Sequence, residues 1–196
     1  MLIKRVIDLV GSLILMLLAA PLALIVCLAV ATTSPGGVFF RQVRAGRDGR
    51  PFEMLKFRTM HAGADKNKAA LLARNEANGH LFKLRDDPRI TPVGRLLRRL
   101  SLDELPQLAN VMRGEMSLVG PRPLPLADSD YSGPARNRLS VRPGLTCLWQ
   151  ISGRSELSWD DMVRLDLQYV QHRSLRLDLA ILARTVPAVL TGKGAH

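Results

Sequence analysis

Cysteine, histidine and aromatic residues are too sparse in this chain to support several kinds of function. The two cysteines, Cys27 and Cys147, give neither a disulfide framework nor a metal-binding spacing, and both read as reduced thiols. His61, His80, His172 and His196 are scattered, which argues against a transition-metal site. Aromatic residues make up 5% of 196 positions and no nucleic-acid-binding module is recognisable, so nucleic acid is not the expected partner. Acidic residues are scarce too, 17 against 28 basic ones, leaving a net charge of +11. That excess suits an anionic membrane surface or a phosphorylated substrate. The length accommodates one compact domain plus a membrane segment.

What is present begins with an apolar run from Leu9 to Ala31, preceded by Lys4 and Arg5. As one helix it would reach roughly 35 Å, enough to cross a hydrocarbon core of about 30 Å. A spanning anchor is therefore one reading, and a signal peptide cleaved after Ala29-Val30-Ala31 is another. Two features favour a third. Positive charge flanks the run on both sides, with Arg41, Arg44, Arg47 and Arg50 following it, which places both ends in the cytoplasm. Pro21, after Ala20, stands near the middle and can break the helix into two arms of roughly 15–18 Å, each able to enter one leaflet only. The expectation is a re-entrant hairpin over residues 1–33, followed by a cytoplasmic catalytic domain over 34–196.

Beyond it, Val38–Val43 and Pro51–Phe57 read as strands of a hairpin around the tight-turn signal Asp48-Gly49. Lys56 and Arg58 end the second strand, where a solvated cation is the plain reading. A surface helix from Ala64 to Ala77 carries no evident chemistry, and Thr91-Pro92 starts the next helix. The stretch Gly94–Gly114 organises the rest. Leu96, Leu97, Leu100, Leu105 and Leu108 recur at helical spacing, so two short amphipathic helices should meet near Ser101. There Asp103 and Glu104 sit among Arg95, Arg98, Arg99, Arg113 and Arg122, an arrangement suited to phosphate. The bland alternative is a capping box, Ser101-Leu-Asp-Glu104, or Asp103 acting as the cap with Pro106 in the first turn. Gly120-Pro-Arg-Pro123 is a stiff loop whose prolines lower the entropy lost when Arg122 grips a phosphate; a turn with an exposed arginine is the alternative. A polar connector then runs to Pro143, irregular until Ala135. Ser158-Trp-Asp-Asp161 opens an amphipathic helix to about Gln171. Leu175–Leu190 is a last helix, suited to core packing or to the membrane interface.

Six stretches in order carry a family resemblance: Ser34–Arg44, Lys56-Phe-Arg-Thr-Met60, Asp87-Pro-Arg-Ile-Thr91, Ser101–Leu108, Gly120-Pro-Arg-Pro123 and Arg142-Pro-Gly-Leu-Thr146. The sequence resembles the monotopic phosphoglycosyl transferases, bacterial sugar transferases that start polysaccharide and glycoconjugate assembly on polyprenyl phosphate. The resemblance implies an α+β, mostly helical, membrane-associated domain with a Pro-kinked re-entrant helix and a small β-hairpin, on the cytoplasmic face of the bacterial inner membrane. Family members often have Ser before the kink proline, where this chain has Ala20. The run Arg142–Arg154 is similar to that of members transferring a hexose 1-phosphate, glucose or galactose. Many of those carry further N-terminal membrane helices, so this chain reads as a minimal catalytic unit or part of a larger one.

The mechanism so implied has Asp103 attacking the sugar-proximal phosphorus of a UDP-sugar, releasing UMP and leaving an aspartyl phosphosugar. Polyprenyl phosphate then takes the phosphosugar. Mg²⁺ held by Asp103, Glu104 and the phosphates would neutralise charge. Lys56, Arg98 and Arg122, carried over from matching family positions, would bind phosphate oxygens, and Glu104 would be metal ligand or base. Partners are then the UDP-sugar, polyprenyl phosphate and lipids of the cytoplasmic leaflet; the oligomeric state, a homodimer included, stays open. A non-catalytic, basic, membrane-anchored adaptor and a secreted basic protein are the competing readings.

Overall fold

The computed structural model describes residues 2–64, 68–76, 84, 86–125, 133–153 and 156–191. The apolar run forms one helix, α1 (Leu2–Thr33), helical without interruption through Pro21. Among the described residues it alone has the length and composition to cross a membrane. Its burial is uneven. Asp8 and Ser12 near one end and Val26 and Val30 near the other are buried, whereas every residue from Leu13 to Leu18 is exposed.

The two ends pack for different reasons. At the N-terminal end the contacts are polar. Arg5 donates to the carbonyls of Val111 and Met112 at 2.7 and 3.0 Å, satisfying the last turn of α4 (Gln107–Arg113) and its partial negative charge. Asp8 accepts from the Ser117 hydroxyl and the Leu118 N–H on β3 (Ser117–Val119). Lys4 donates to Asp178 at 2.7 Å and to the Val119 carbonyl at 3.2 Å. At the other end the contacts are apolar: Val26 and Val30 join Phe57 and Leu97, with Leu102 and Leu105 packed against them.

The expected hairpin is present as β1 (Phe39–Ala45) and β2 (Pro51–Phe57), antiparallel with Ala45 opposite Pro51. Its turn places Asp48 and Gly49 at φ of 57° and 77°, the left-handed region that an Asp-Gly pair tolerates. Of the surface helix expected over Ala64–Ala77, α2 covers Lys68–Leu71 and runs into a 3₁₀ turn through Arg74; Asn75 and Glu76 are not helical, and residues 65–67 and 77 lie outside the described residues. α3 (Pro92–Arg99) starts as the sequence indicates, with the Thr91 hydroxyl accepting from the Gly94 N–H at 2.9 Å. α4 ends at Gly114, whose φ of 86° closes the helix. A pairing absent from the sequence reading follows: β3 lies parallel to β4 (Gly144–Thr146), joining the Gly-Pro-Arg-Pro loop to the Arg-Pro-Gly stretch. A 3₁₀ segment at Gly133–Ser140, α5 (Trp159–His172, capped by Ser158) and α6 (Leu175–Thr191) complete the order.

The main core joins Phe52 and Met54 of β2 to Leu108 and Val111 of α4, Leu118 and Val119 of β3, Tyr169 of α5 and Ile181 of α6. Leu105 touches both this cluster and the one formed with α1. Asn110, fully buried on α4, fixes the hairpin's position: its side chain accepts from the Leu55 N–H at 3.0 Å and donates to the Glu53 carbonyl at 2.7 Å. Two backbone groups of β2 are thereby satisfied where no third strand pairs with them.

α3 and the end of the hairpin meet even more closely. A Cβ on Gly94 would stand 2.1 Å from the Thr59 carbonyl oxygen, so the contact requires glycine. Gly94→Ala should therefore push α3 off the Thr59 backbone and cost on the order of 1–3 kcal/mol. Thermal unfolding of the detergent-solubilised protein should show it as a Tm lower by roughly 5 °C; an unchanged Tm would disprove the close contact.

Candidate active site

Between α3 and α4 the chain makes a single 3₁₀ turn, Leu102–Glu104, entered through Ser101 at φ of 55°. A left-handed serine costs about 1 kcal/mol and marks a place where the chain is forced into a bend. The capping reading of this turn does not hold. Ser101 makes no side-chain cap bond, and α4 begins after Pro106 without a side-chain cap, so neither Ser101 nor Asp103 serves it. The two short helices meet where the leucine pattern indicates, and the carboxylates at the junction are left for other partners.

Those partners come from three separate segments. Lys56, near the end of β2, lies 3.2 Å from Asp103 Oδ2 and 2.8 Å from Glu104 Oε1. Arg122 grips Glu104 with both terminal nitrogens, one of them 3.2 Å from Oε2 and the other in close contact with Oε1. Arg98, one turn after Gly94, donates through Nε to the Thr59 hydroxyl at 2.9 Å. Its terminal nitrogens have no hydrogen-bond partner among the described residues; burial works against its charge, and Asp103 is the foremost of the carboxylates that favour it. Asp103 itself is 5% exposed and held by Lys56 through one oxygen only. Arg95, Arg99 and Arg113, counted with the site from the sequence, are exposed and stand apart from the dyad.

The electrostatics separate the two carboxylates. Burial works to raise the Glu104 pKa, but Arg122 and Lys56 outweigh it and hold the group well below the usual carboxylate range. Burial works to lower the Arg122 pKa, but Glu104 outweighs it and holds it above the usual guanidinium value, so the group is charged under all ordinary conditions. Glu104 is thus an ionised clamp for two cations, with no proton to give at neutral pH. Asp103, more lightly held, has an oxygen to offer. Among the described residues no group of three metal-ligating side chains occurs. Mg²⁺ commonly takes only one or two carboxylates and completes its shell with water and substrate phosphates; the open oxygen of Asp103 fits that habit, while Glu104 would have to share an oxygen already bonded to Lys56 or Arg122.

Several residues that sequence reasoning missed surround Arg122. Its guanidinium lies over the Trp149 ring, 5.9 Å from the centroid. Its carbonyl accepts from Arg138 at 3.0 Å, and Arg138 is paired in the interior with Asp166 of α5. Burial pushes the Asp166 carboxyl up to about 6 against the pull of Arg138 and Trp149. Asp166 shares the buried face of α5 with Met162 and Tyr169, at i, i+4 and i+7. A carboxylate on an otherwise apolar stripe demands a cation, and that signal was available in the sequence. Thr59 was within a quoted motif without a role; it orients Arg98. By contrast Asp87 and Arg89, in another quoted motif, form a buried bidentate pair beside Thr91 that supports the start of α3.

The order and spacing of these motifs match a known family model over residues 1–192, described as bacterial sugar transferase. The chain belongs to the bacterial sugar transferase family. It is 44% identical to the exopolysaccharide production protein ExoY of Rhizobium meliloti over 198 residues, covering 98% of this chain and 88% of that one. It is 45% identical to the UDP-glucose:undecaprenyl-phosphate glucose-1-phosphate transferase of Caulobacter vibrioides over 203 residues, 98% of this chain and 72% of the relative. Galactosyl transferase CpsE of Streptococcus agalactiae is 43% identical over 195 residues, 98% of this chain, which spans only 43% of that relative's length.

For this family member the depressed Glu104 pKa has a consequence with a definite sign. The stability Glu104 gains from its cations is fully present above its ordinary value of 4.5 and is lost as pH falls below it. The Tm difference between wild type and Glu104→Gln should therefore stay constant from about pH 8 to 5 and narrow below about pH 4.5. Melting curves in detergent across that range test this, and a difference that grows on acidification would refute it.

Proposed function

We propose that this protein transfers a hexose 1-phosphate from a UDP-sugar to polyprenyl phosphate, releasing UMP. The observation that carries the reading is the lightly held, buried Asp103 facing Lys56 and Arg98 and backed by a Glu104 that is committed to cations. A nucleophile and a set of phosphate-binding cations are what phosphoryl transfer requires, since its catalysis is mostly positioning and charge stabilisation. The relatives named as glucose-1-phosphate and galactosyl transferases make glucose and galactose the first donors to consider.

In the first half-reaction a carboxylate oxygen of Asp103 attacks the sugar-proximal phosphorus. The bond from that phosphorus to the bridging oxygen breaks, and UMP leaves with the oxygen and its electron pair. Arg98, whose terminal nitrogens are open, binds non-bridging oxygens bidentately, Arg122 adds the N–H groups that Glu104 does not use, and Lys56 holds the attacking carboxylate in place. In the second, an oxygen of polyprenyl phosphate attacks the aspartyl phosphosugar and expels the Asp103 carboxylate, forming a polyprenyl diphosphosugar. Mg²⁺ bound by Asp103, Glu104 and the donor phosphates would neutralise part of the diphosphate charge. One phosphoanhydride replaces another, so the reaction is close to thermoneutral and depends on later consumption of product.

The acceptor is a lipid, and the packing of α1 supports a re-entrant membrane helix at the cytoplasmic face. Lys4, Arg5 and Asp8 at one end and Val26, Val30 and Ser34 at the other are all buried against, or bonded to, the same folded domain. A domain cannot lie on both sides of a bilayer. Between Ser12 and Val26 only residues 13–25 are available for lipid, roughly 20 Å of helix against a core of about 30 Å. That segment can enter one leaflet and return, with Pro21 close to its centre.

Two experiments test this reading. UMP release from UDP-glucose and UDP-galactose, with Mg²⁺ and polyprenyl phosphate, should occur for wild type and fall by more than about a thousandfold for folded Asp103→Asn. No UMP from any UDP-sugar, with the protein folded and membrane-bound, would leave a non-catalytic anchored adaptor as the reading. For topology, Leu2→Cys and Gly37→Cys in a Cys27→Ser background should both react with an impermeant maleimide from the cytoplasmic side only. Labelling from opposite sides would mean that the helix spans.

A further inference from the structure

The loop carrying Arg122 has little means of holding itself. Pro121 and Pro123 have no N–H, and the backbone from Pro121 to Leu124 belongs to no helix or strand. Yet its four successive carbonyls are each taken by a group from elsewhere. Pro121 accepts from the Gly144 N–H at 2.9 Å, Arg122 from Arg138 at 3.0 Å, Pro123 from Arg44 at 3.1 Å and Leu124 from the Ala45 N–H at 3.4 Å. β4, the 3₁₀ segment and β1 therefore clamp one short loop.

Three of these bonds flank Arg122; only the one from Arg138 falls on Arg122 itself. Arg138 is 3% exposed and uses the same terminal nitrogen for the Arg122 carbonyl and for Asp166, which is fully buried on α5. A guanidinium and its carboxylate partner buried together are a costly way to make one backbone hydrogen bond. It makes sense if the bond fixes something whose position matters. What it fixes is the backbone from which the Arg122 side chain extends, between the Trp149 face and Glu104.

We infer that Arg138 is a positioning residue for phosphoryl transfer, acting through the Arg122 carbonyl and held in turn by Asp166. This rests on the proposed reading in which Arg122 binds donor phosphate. Without the brace the loop keeps its flanking bonds, but the Arg122 backbone is freed to move, and a misplacement on the scale of 1 Å is enough to cost about a hundredfold in rate.

The test is a double-mutant cycle on the full-length, detergent-solubilised protein, reading kcat and KM for whichever of UDP-glucose and UDP-galactose releases UMP. Replacing the buried pair together, Arg138→Met with Asp166→Leu, removes both charges and leaves no unpaired ion, so the fold should survive with a Tm close to wild type. In the wild-type background kcat/KM should fall by about tenfold or more, with most of the loss in donor KM. In an Arg122→Lys background the same replacement should change kcat/KM by less than about twofold, because the group it positions is already compromised. Should the double replacement not fold, Arg138→Lys keeps a cation for Asp166 while shortening the reach to the carbonyl, and runs through the same cycle. Equal losses in both backgrounds, or no loss in either, overturn the inference and leave Arg138 a purely structural residue. Full activity of Arg122→Lys and of Arg122→Ala removes the phosphate role of Arg122 and the inference with it. Absence of UMP from every UDP-sugar, with the protein folded and membrane-bound, removes the transferase reading on which both stand.

Discussion

Two adjacent carboxylates withdrawn from water set the terms for the rest of this structure. Asp103 and Glu104 expose 8% and 13% of their side chains, and neighbouring like charges at that depth repel one another as well as losing hydration. Cations must compensate them, and nearby sequence supplies only Arg98, since Arg95 and Arg99 are exposed. Lys56 and Arg122 have to be delivered from 47 and 18 residues away. Much of the tertiary structure serves that delivery. Asn110 aligns β2, which brings Lys56; Gly94 lets α3 press against Thr59, which orients Arg98; and the β3–β4 pairing fixes the root of the Arg122 loop.

The same constraint accounts for the different fates of the two acids. Glu104 takes most of the positive charge, a bidentate guanidinium and a share of an ammonium, and becomes an ionised strut. Asp103 is hydrogen-bonded only by the remaining share of Lys56, with the Arg98 charge acting on it without a direct bond. An arrangement serving stability alone would divide the cations evenly, since the unpaired oxygen is the costly one. The asymmetry leaves one carboxylate oxygen underused in a site rich in positive charge, which is what the role proposed for Asp103 calls for.

What was legible in the sequence follows from how local each signal is. The leucine spacing that places two helices around Ser101, the Thr91-Pro92 and Ser158 caps, and the Asp48-Gly49 turn are decided within a few residues, and the structure has them close to where the pattern puts them. The capping-box pattern at Ser101–Glu104 misleads because it specifies spacing but not φ; Ser101 adopts a left-handed conformation in which its hydroxyl cannot serve the helix. The β3–β4 pair is invisible for a different reason. Three-residue strands have no periodicity to read, and their pairing depends on Gly120 and Gly144 letting two backbones approach to distances no Cβ would allow. Arg138 lay hidden in a polar connector because nothing about an isolated arginine distinguishes an interior brace from a solvated charge. Only Asp166, misplaced on an apolar face, pointed toward it.

The dyad's own neighbours connect the chemistry to the apolar helix. In Leu102-Asp103-Glu104-Leu105 the two leucines pack against the cluster around Val26 and Val30 of α1, while the two acids between them turn to Lys56 and Arg122. A single turn therefore has an apolar side against the helix and an anionic side against the cations. The other end of α1 is tied through Lys4 and Asp8 to β3, the strand that leads directly into the Arg122 loop. Both ends of the helix thus support the backbone on which the site is built, one beneath Asp103 and one beneath Arg122. An enzyme joining a soluble nucleotide sugar to a lipid phosphate has to hold its reacting groups at a fixed height above the hydrocarbon. With the dyad turn packed directly on α1, the proposed membrane helix would set that height through side-chain contacts, with no flexible linker between.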